Sequence, residues 1–155
     1  MAAITYLLDK SAWTQAPHSR EAAARIAGLI RHGRLALCTM TSLEILYSAR
    51  SADEYDRDYT RLGKLSWVEL STPRDAIELQ HALAQRGWHR TSIPDVIIAA
   101  TAAEHALTVL HYDSDYERLA EVAKIPHEWI IPRGTGHGAG SPRRPGTGGS
   151  PTSPG

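Results

Sequence analysis

Much of what would make function easy to read is missing from this chain. It has a single cysteine, Cys38, so no internal disulfide can form. That agrees with a reducing compartment. No stretch approaches the roughly 20 consecutive apolar residues of a membrane helix. The start, MAAITYLLD, has no basic segment and meets an acid within one short apolar run, unlike a secretory leader. A soluble, cytoplasmic protein with no membrane contact is therefore expected. An excess of one charge is missing too: 17 basic and 17 acidic residues give a formal net charge of zero. This argues against a protein that coats nucleic acid through a broad basic surface. An acidic pocket matched by a basic rim remains compatible with it, because the two cancel in the sum. The eight histidines and one cysteine form no HxxxH or CxxC pattern, which disfavours a zinc site. There is no Walker loop and no GxGxxG, which argues against nucleotide hydrolysis and dinucleotide binding.

What is present is a chain of 155 residues, 42% hydrophobic and 22% charged, enough for one domain with a true core. Residues 1–133 read as that domain. Residues 134–155, GTGHGAGSPRRPGTGGSPTSPG, hold no large apolar or aromatic side chain. Such a segment cannot bury enough surface to offset its ordering entropy and is expected to be a disordered tail.

Within the domain, short β-type runs alternate with helical patterns. Strands are expected at Ile4–Leu8, Leu35–Cys38, Trp67–Leu70, Leu107–His111 and Glu128–Ile131. Ser19 caps a helix through Ile30, with Gly33 as its stop. A second helix starts near Thr41, with Leu43, Leu46 and Tyr47 on one face, and a more polar one spans about Glu54–Leu65. Thr72-Pro73 opens a helix to about Arg86, with Pro73 at the first helical position and Gly87 at the stop. Pro94 opens the Ala-rich helix Asp95–His105, and a short helix runs about Tyr116–Ala123. This alternation implies an α/β fold with a mostly parallel sheet covered by helices on both faces. In such sheets ligands bind beyond the carboxyl ends of the strands.

The acids cluster at that kind of place. Asp9 closes the first strand, and Asp113 and Asp115 follow the strand LTVLH. Glu44 and Asp95 sit in the first turns of their helices. Each has an ordinary alternative: a capping box at Thr41-Ser42-Leu43-Glu44, a helix-dipole partner at Asp95, a turn and cap at Asp113-Ser114-Asp115. Asp9 is harder to explain that way, since an acid ending a buried strand needs a partner. Together they are expected to converge on one pocket, where repulsion calls for a hard cation such as Mg²⁺ or Mn²⁺.

These residues bring a family with them. The segment YLLDKSAW resembles the opening of PIN domains, with Asp9 and Ser11 in place. TSLEILYSAR resembles the second motif, with Glu44. IPDVIIAATAAEHALTVLHYDSDYERLA resembles the VapC stretch in which an Asp opens an Ala-rich helix and a strand then leads to Asp-x-Asp. The likeness covers about Ile4 to Ile131; Lys10 and Tyr116 depart from it, standing where Thr and Phe are common. It implies a three-layer PIN-like sandwich and a metal-dependent ribonuclease, the toxin of a type II toxin–antitoxin pair. By motif position, Asp9, Glu44, Asp95 and Asp113 would be the catalytic, metal-binding quartet, Asp115 an accessory acid, and Ser11 an orienting residue. RNA would be the substrate, a cognate antitoxin the partner, and a homodimer the assembly.

Arg86, His89 and Arg90, just ahead of Asp95, are candidates for RNA backbone contacts. Trp88 and Tyr112 are candidates for stacking on bases. Trp13, Leu46 and Tyr47 are candidates for a dimer face or an antitoxin groove. A Toprim-like site would leave Asp9 and Asp95 without roles, and a haloacid-dehalogenase site would want Asp-x-Asp-x-Thr where this chain reads Asp9-Lys10-Ser11-Ala12. The remaining rival is a non-catalytic PIN-like module that binds RNA or protein.

Overall fold

Two adjacent leucines at the end of the first strand, Leu7 and Leu8, are both completely buried but belong to different cores. Successive strand residues point to opposite faces, so a strand apolar at consecutive positions must be covered on both sides. The same holds for Ala36 against Leu35 and Leu37, and for Val109 against Leu110. The computed structural model, which describes residues 3–137, shows the three layers this requires.

The strands β1 (Tyr6–Leu8), β2 (Leu35–Leu37), β3 (Ser66–Trp67), β4 (Thr108–His111) and β5 (His127–Trp129) form one sheet in the order β3-β2-β1-β4-β5. Every pairing is parallel. The helices are α1 (Lys10–Trp13), α2 (Arg20–Arg31), α3 (Thr39–Tyr47), α4 (Ala52–Leu62), α5 (Arg74–Ala84), α6 (Ile93–His105) and α7 (Asp115–Ala123), with a 3₁₀ turn at Ala16–His18. One core gathers Leu7 and Val109 with Val96, Ala99 and Ala102 of α6 and Leu119 of α7. The other gathers Leu8 and Leu110 with Trp13, Ile26, Ile45 and Leu62. Each fully buried Leu contributes roughly 1.5–3 kcal/mol. The order of strands reverses at β1, so chain leaving β1 and β4 opens the crevice where α/β sheets place ligands.

The predicted fold class stands. The differences are at ends and in short pieces. β1, β3 and β5 are shorter than their apolar runs, and β3 and β5 begin earlier than expected. Pro73 is the cap residue of α5 rather than its first helical residue. Ile93 precedes Pro94 inside α6. The four-residue α1 and the 3₁₀ turn were not expected from periodicity, since neither completes enough turns to show any. On α3 the buried side is Thr41, Ser42 and Ile45, while Leu43 and Tyr47 are exposed. The Thr41 hydroxyl donates to the Leu8 carbonyl, which locks α3 against the end of β1. Of the segment expected to be a tail, residues 134–137 bond to the body: Gly134 and Gly136 N–H groups donate to the Tyr112 hydroxyl, and His137 N–H to Gln15. The rest of it, with Arg143 and Arg144, lies outside the described residues.

Candidate metal centre

Asp9 ends β1 and caps α1, and it is 3% exposed. Its Oδ2 accepts the Ser11 N–H at 2.9 Å and also the Ser11 hydroxyl. Its Oδ1 accepts the Tyr116 hydroxyl at 2.7 Å. Ser11 Oγ in turn accepts the Tyr112 N–H at 2.8 Å. One serine thus ties the end of β1 to the end of β4 and fixes the carboxylate between them.

Asp95 sits in the first turn of α6 and is 7% exposed. The Tyr116 hydroxyl lies 3.4 Å from its Oδ1. Burial, then the charges of Asp9, Asp113, Glu44 and Asp115, push its carboxyl up to about 8. Glu44 is raised as well, first by burial and then by Asp9, with Lys10 opposing. Its Oε1 is buried with no hydrogen-bond partner. The capping-box reading of Glu44 therefore fails: α3 starts at Thr39, whose N–H donates to Glu69. By contrast, Asp113 does act in a turn, its Oδ1 accepting the Asp115 N–H at 3.0 Å.

Five of the acids singled out in the sequence come together. Ligand oxygens of Asp9, Glu44 and Asp95 lie within 4.8 Å of one another, and so do those of Asp95, Asp113 and Asp115. Asp95 belongs to both groups. An all-oxygen set with mutual repulsion that raises the carboxyl of Asp95, and one buried oxygen left without a donor, fits a hard divalent cation. These residues fit Mg²⁺ or Mn²⁺, and Cys38, buried on its own strand end, takes no part.

Two residues of the site carried no assigned role in the sequence. Tyr116, completely buried, bridges Asp9 and Asp95; its departure from Phe was the only trace. His111, also completely buried, accepts the Asp113 N–H at Nδ1 (3.0 Å) and meets His127 Nδ1 through Nε2 at 2.8 Å. Acceptance at Nδ1 places the proton on Nε2. Burial, then His127, hold this ring far below the usual histidine range, at about 3.

Arg86, His89 and Arg90 are exposed in the segment before α6. Arg86 pairs with Glu121 at 2.6 Å, and Arg86 and Arg118 each stand 5.4 Å from the Trp88 ring centroid. Tyr112 is 1% exposed and cannot stack on a base, which corrects that expectation.

A parallel five-stranded sandwich with acids at the switch point defines the class. The family model described as PIN domain matches residues 6–122, and the chain belongs to that family. Ribonuclease VapC21 of Mycobacterium tuberculosis is 41% identical over 140 residues, covering 84% of this chain and 96% of the relative. Ribonuclease VapC51 of the same organism is 40% identical over 136 residues, covering 86% and 98%. Among solved structures, VapBC2 from Rickettsia felis bound to a promoter DNA fragment matches with a TM-score of 0.68 at 17% identity, covering 81% of this chain and 98% of that one. DNA-bound VapBC from Salmonella typhimurium matches with a TM-score of 0.64 at 18% identity, covering 83% and 99%.

Proposed function

We propose that this protein is a Mg²⁺- or Mn²⁺-dependent endoribonuclease and the toxin of a type II toxin–antitoxin pair. The observation that carries the reading is the pair of three-acid groups sharing Asp95, with the partnerless Glu44 oxygen in one of them. The VapC ribonucleases to which the chain is about 40% identical support it.

Asp9, Glu44 and Asp95 would hold one ion, and Asp95 with Asp113 and Asp115 would hold or recruit a second. When bound, such an ion supplies activation of water and neutralisation of charge at a scissile phosphate. Ser11 and Tyr116 fix Asp9 from opposite oxygens, and His111 holds the backbone of Asp113. Lys10 sets positive charge beside Glu44. Attack by water needs no covalent nucleophile, and the Ser11 hydroxyl at the cluster is already engaged with Asp9 and the Tyr112 N–H. Arg90 and His89 are the freer candidates for phosphate contacts, since Arg86 already pairs with Glu121.

For the antitoxin, a groove of about 1200 Å³ is lined by Trp13, Pro17, Ala23 and Ile45, with Arg50, Glu54, Arg57 and Arg61 at its rim. An apolar floor with a mixed-charge rim suits an amphipathic segment of a protein partner. Exposed Ile77 and Ile93, beside a second apolar hollow, are proposed as the face for a second copy. No helix among the described residues is long and apolar enough to cross a membrane.

The test is incubation of the purified protein with cellular RNA and Mg²⁺ or Mn²⁺, with EDTA and Asp9→Asn controls and sequencing of the ends. Discrete cuts that need metal and vanish in the variant are expected. Cuts that persist in Asp9→Asn would overturn the assignment, and binding without cutting would favour the non-catalytic module.

A further inference from the structure

The geometry points to Tyr116 as a positioning residue of the acidic cluster, one that holds Asp9 in ion-ready orientation and ties it to Asp95. This rests on the metal-site reading above. The phenol has one proton. The short contact, 2.7 Å to Asp9 Oδ1, takes it, while the 3.4 Å approach to Asp95 Oδ1 is a weak secondary one. A carboxylate offers about four lone-pair sites. Asp9 fills two at Oδ2 with the Ser11 N–H and hydroxyl, and one at Oδ1 with Tyr116. One is left for a cation, so Asp9 is set up as a single-oxygen ligand whose plane cannot turn.

The ring itself is well held. Tyr116 has no exposed surface, it packs in the core with Val96, Ala99 and Leu119, and the His111 ring lies 4.8 Å from it at 31°. It stands one residue after Asp115 on α7, the helix whose first turn supplies Asp115 to the second acidic group. The hydroxyl therefore couples three separate elements at the point where their acids meet: the end of β1, the first turn of α6 and the first turn of α7. A phenylalanine fills the same core space but offers no donor, so this chain has a handle on its acids that a Phe at 116 would lack.

The experiment is calorimetric titration of Mn²⁺ into the full chain and into Tyr116→Phe at one fixed pH. Tyr112→Phe serves as the comparison. That residue is equally buried, but its hydroxyl accepts from Gly134 and Gly136 rather than donating to an acid. Orienting partners of metal ligands are worth roughly 10–100-fold in affinity. Tyr116→Phe is expected to weaken Mn²⁺ binding by about tenfold with the number of ions unchanged, and Tyr112→Phe to lower melting temperature without moving the affinity. Equal affinity in Tyr116→Phe and the parent would overturn the inference while leaving the metal site intact. Tighter binding in Tyr116→Phe would overturn it too, showing that the hydroxyl competes with the ion for Asp9. An equal loss in both variants would mean general loosening and would also overturn it. Failure of the parent chain to bind Mn²⁺ would remove the metal reading itself, and the inference with it.

Discussion

Asp9 and Glu44 contribute oxygens to the same acidic group, yet the protein treats them in opposite ways. Asp9 receives three hydrogen bonds, two from Ser11 and one from Tyr116, and is nearly inaccessible. Glu44 is half-buried on α3, with one oxygen buried and unpartnered and its carboxyl raised by burial. Burying a charge without donors is unfavourable. Asp9 avoids that penalty through its own neighbours, whereas Glu44 has the Lys10 charge nearby but no donor at its buried Oε1. The difference separates two jobs within one site. The β1 side is a rigid anchor set during folding, and the α3 side is an arm whose favourable state depends on what occupies the pocket.

Asp9→Asn should break the anchor most severely. The amide NH₂ must face either the Ser11 N–H, donor against donor, or the Tyr116 hydroxyl, which must then turn its proton off residue 9 and accept instead. A ligand charge is lost and the local hydrogen bonding is disturbed. RNA cleavage should fall by more than about 100-fold, beyond the usual loss for an outer partner, and the metal-free protein should melt at lower temperature. Glu44→Gln should also lose cleavage, by roughly 10–100-fold. Its stability should move the other way, because the substitution removes a desolvated charge repelled by Asp9. Melting curves taken without metal decide the matter: if Glu44→Gln is destabilised as much as Asp9→Asn, the contrast between anchor and arm is wrong. Ser11→Ala should come next. It deletes one donor to Asp9 and strands the Tyr112 N–H, costing about 1–3 kcal/mol and, through Asp9, about tenfold in activity. Thermal melting and single-turnover cleavage would separate the two.

That contrast was only half legible in the sequence. The apolar runs at Leu7-Leu8, Leu35–Leu37 and Val109-Leu110 required a sheet covered on both faces, and acids placed after parallel strands had to share an edge. Motif spacing brought the five acids forward as one set. The supports were hidden because they depend on contacts between distant segments: Ser11 with Tyr112 across 101 positions, Tyr116 with Asp9 across 107. The Thr41–Glu44 spacing left a rival reading of Glu44 open, since it matches a capping box. The helix begins two residues earlier than that, and the Thr41 hydroxyl is spent on the Leu8 carbonyl instead. Tyr112 misled outright: a tyrosine beside an acid pair looks available for stacking until the fold turns it into the core.

The smallest effect expected is a dependence of metal-free stability on pH, and two groups of the site drive it in opposite directions. Asp95 has a folded-state value near 8 against 3.8 ordinarily, so folding favours its protonated form. Its contribution is complete below 3.8 and is lost as pH rises through about 8. His111 is held near 3 against 6.5, so folding favours its neutral form, and that contribution is complete above 6.5 and lost as pH falls toward 3. Between about 4 and 6.5 the two slopes oppose each other, with raised Glu44 adding to the Asp95 sense from its ordinary range upward. Above 6.5 the Asp95 slope continues without the opposition of His111. The metal-free protein should therefore change little in melting temperature between about pH 4 and 6.5 and lose on the order of 5 °C between pH 6.5 and 8. Saturating Mn²⁺ should restore it, because an ion favours the ionised acids. Asp95→Asn should flatten the alkaline loss and leave the acid side to His111, a test readable by scanning fluorimetry over a pH series. A variant that keeps the full alkaline loss would show that Asp95 is not the acid under strain, and would move the centre of repulsion to the α3 side of the pocket.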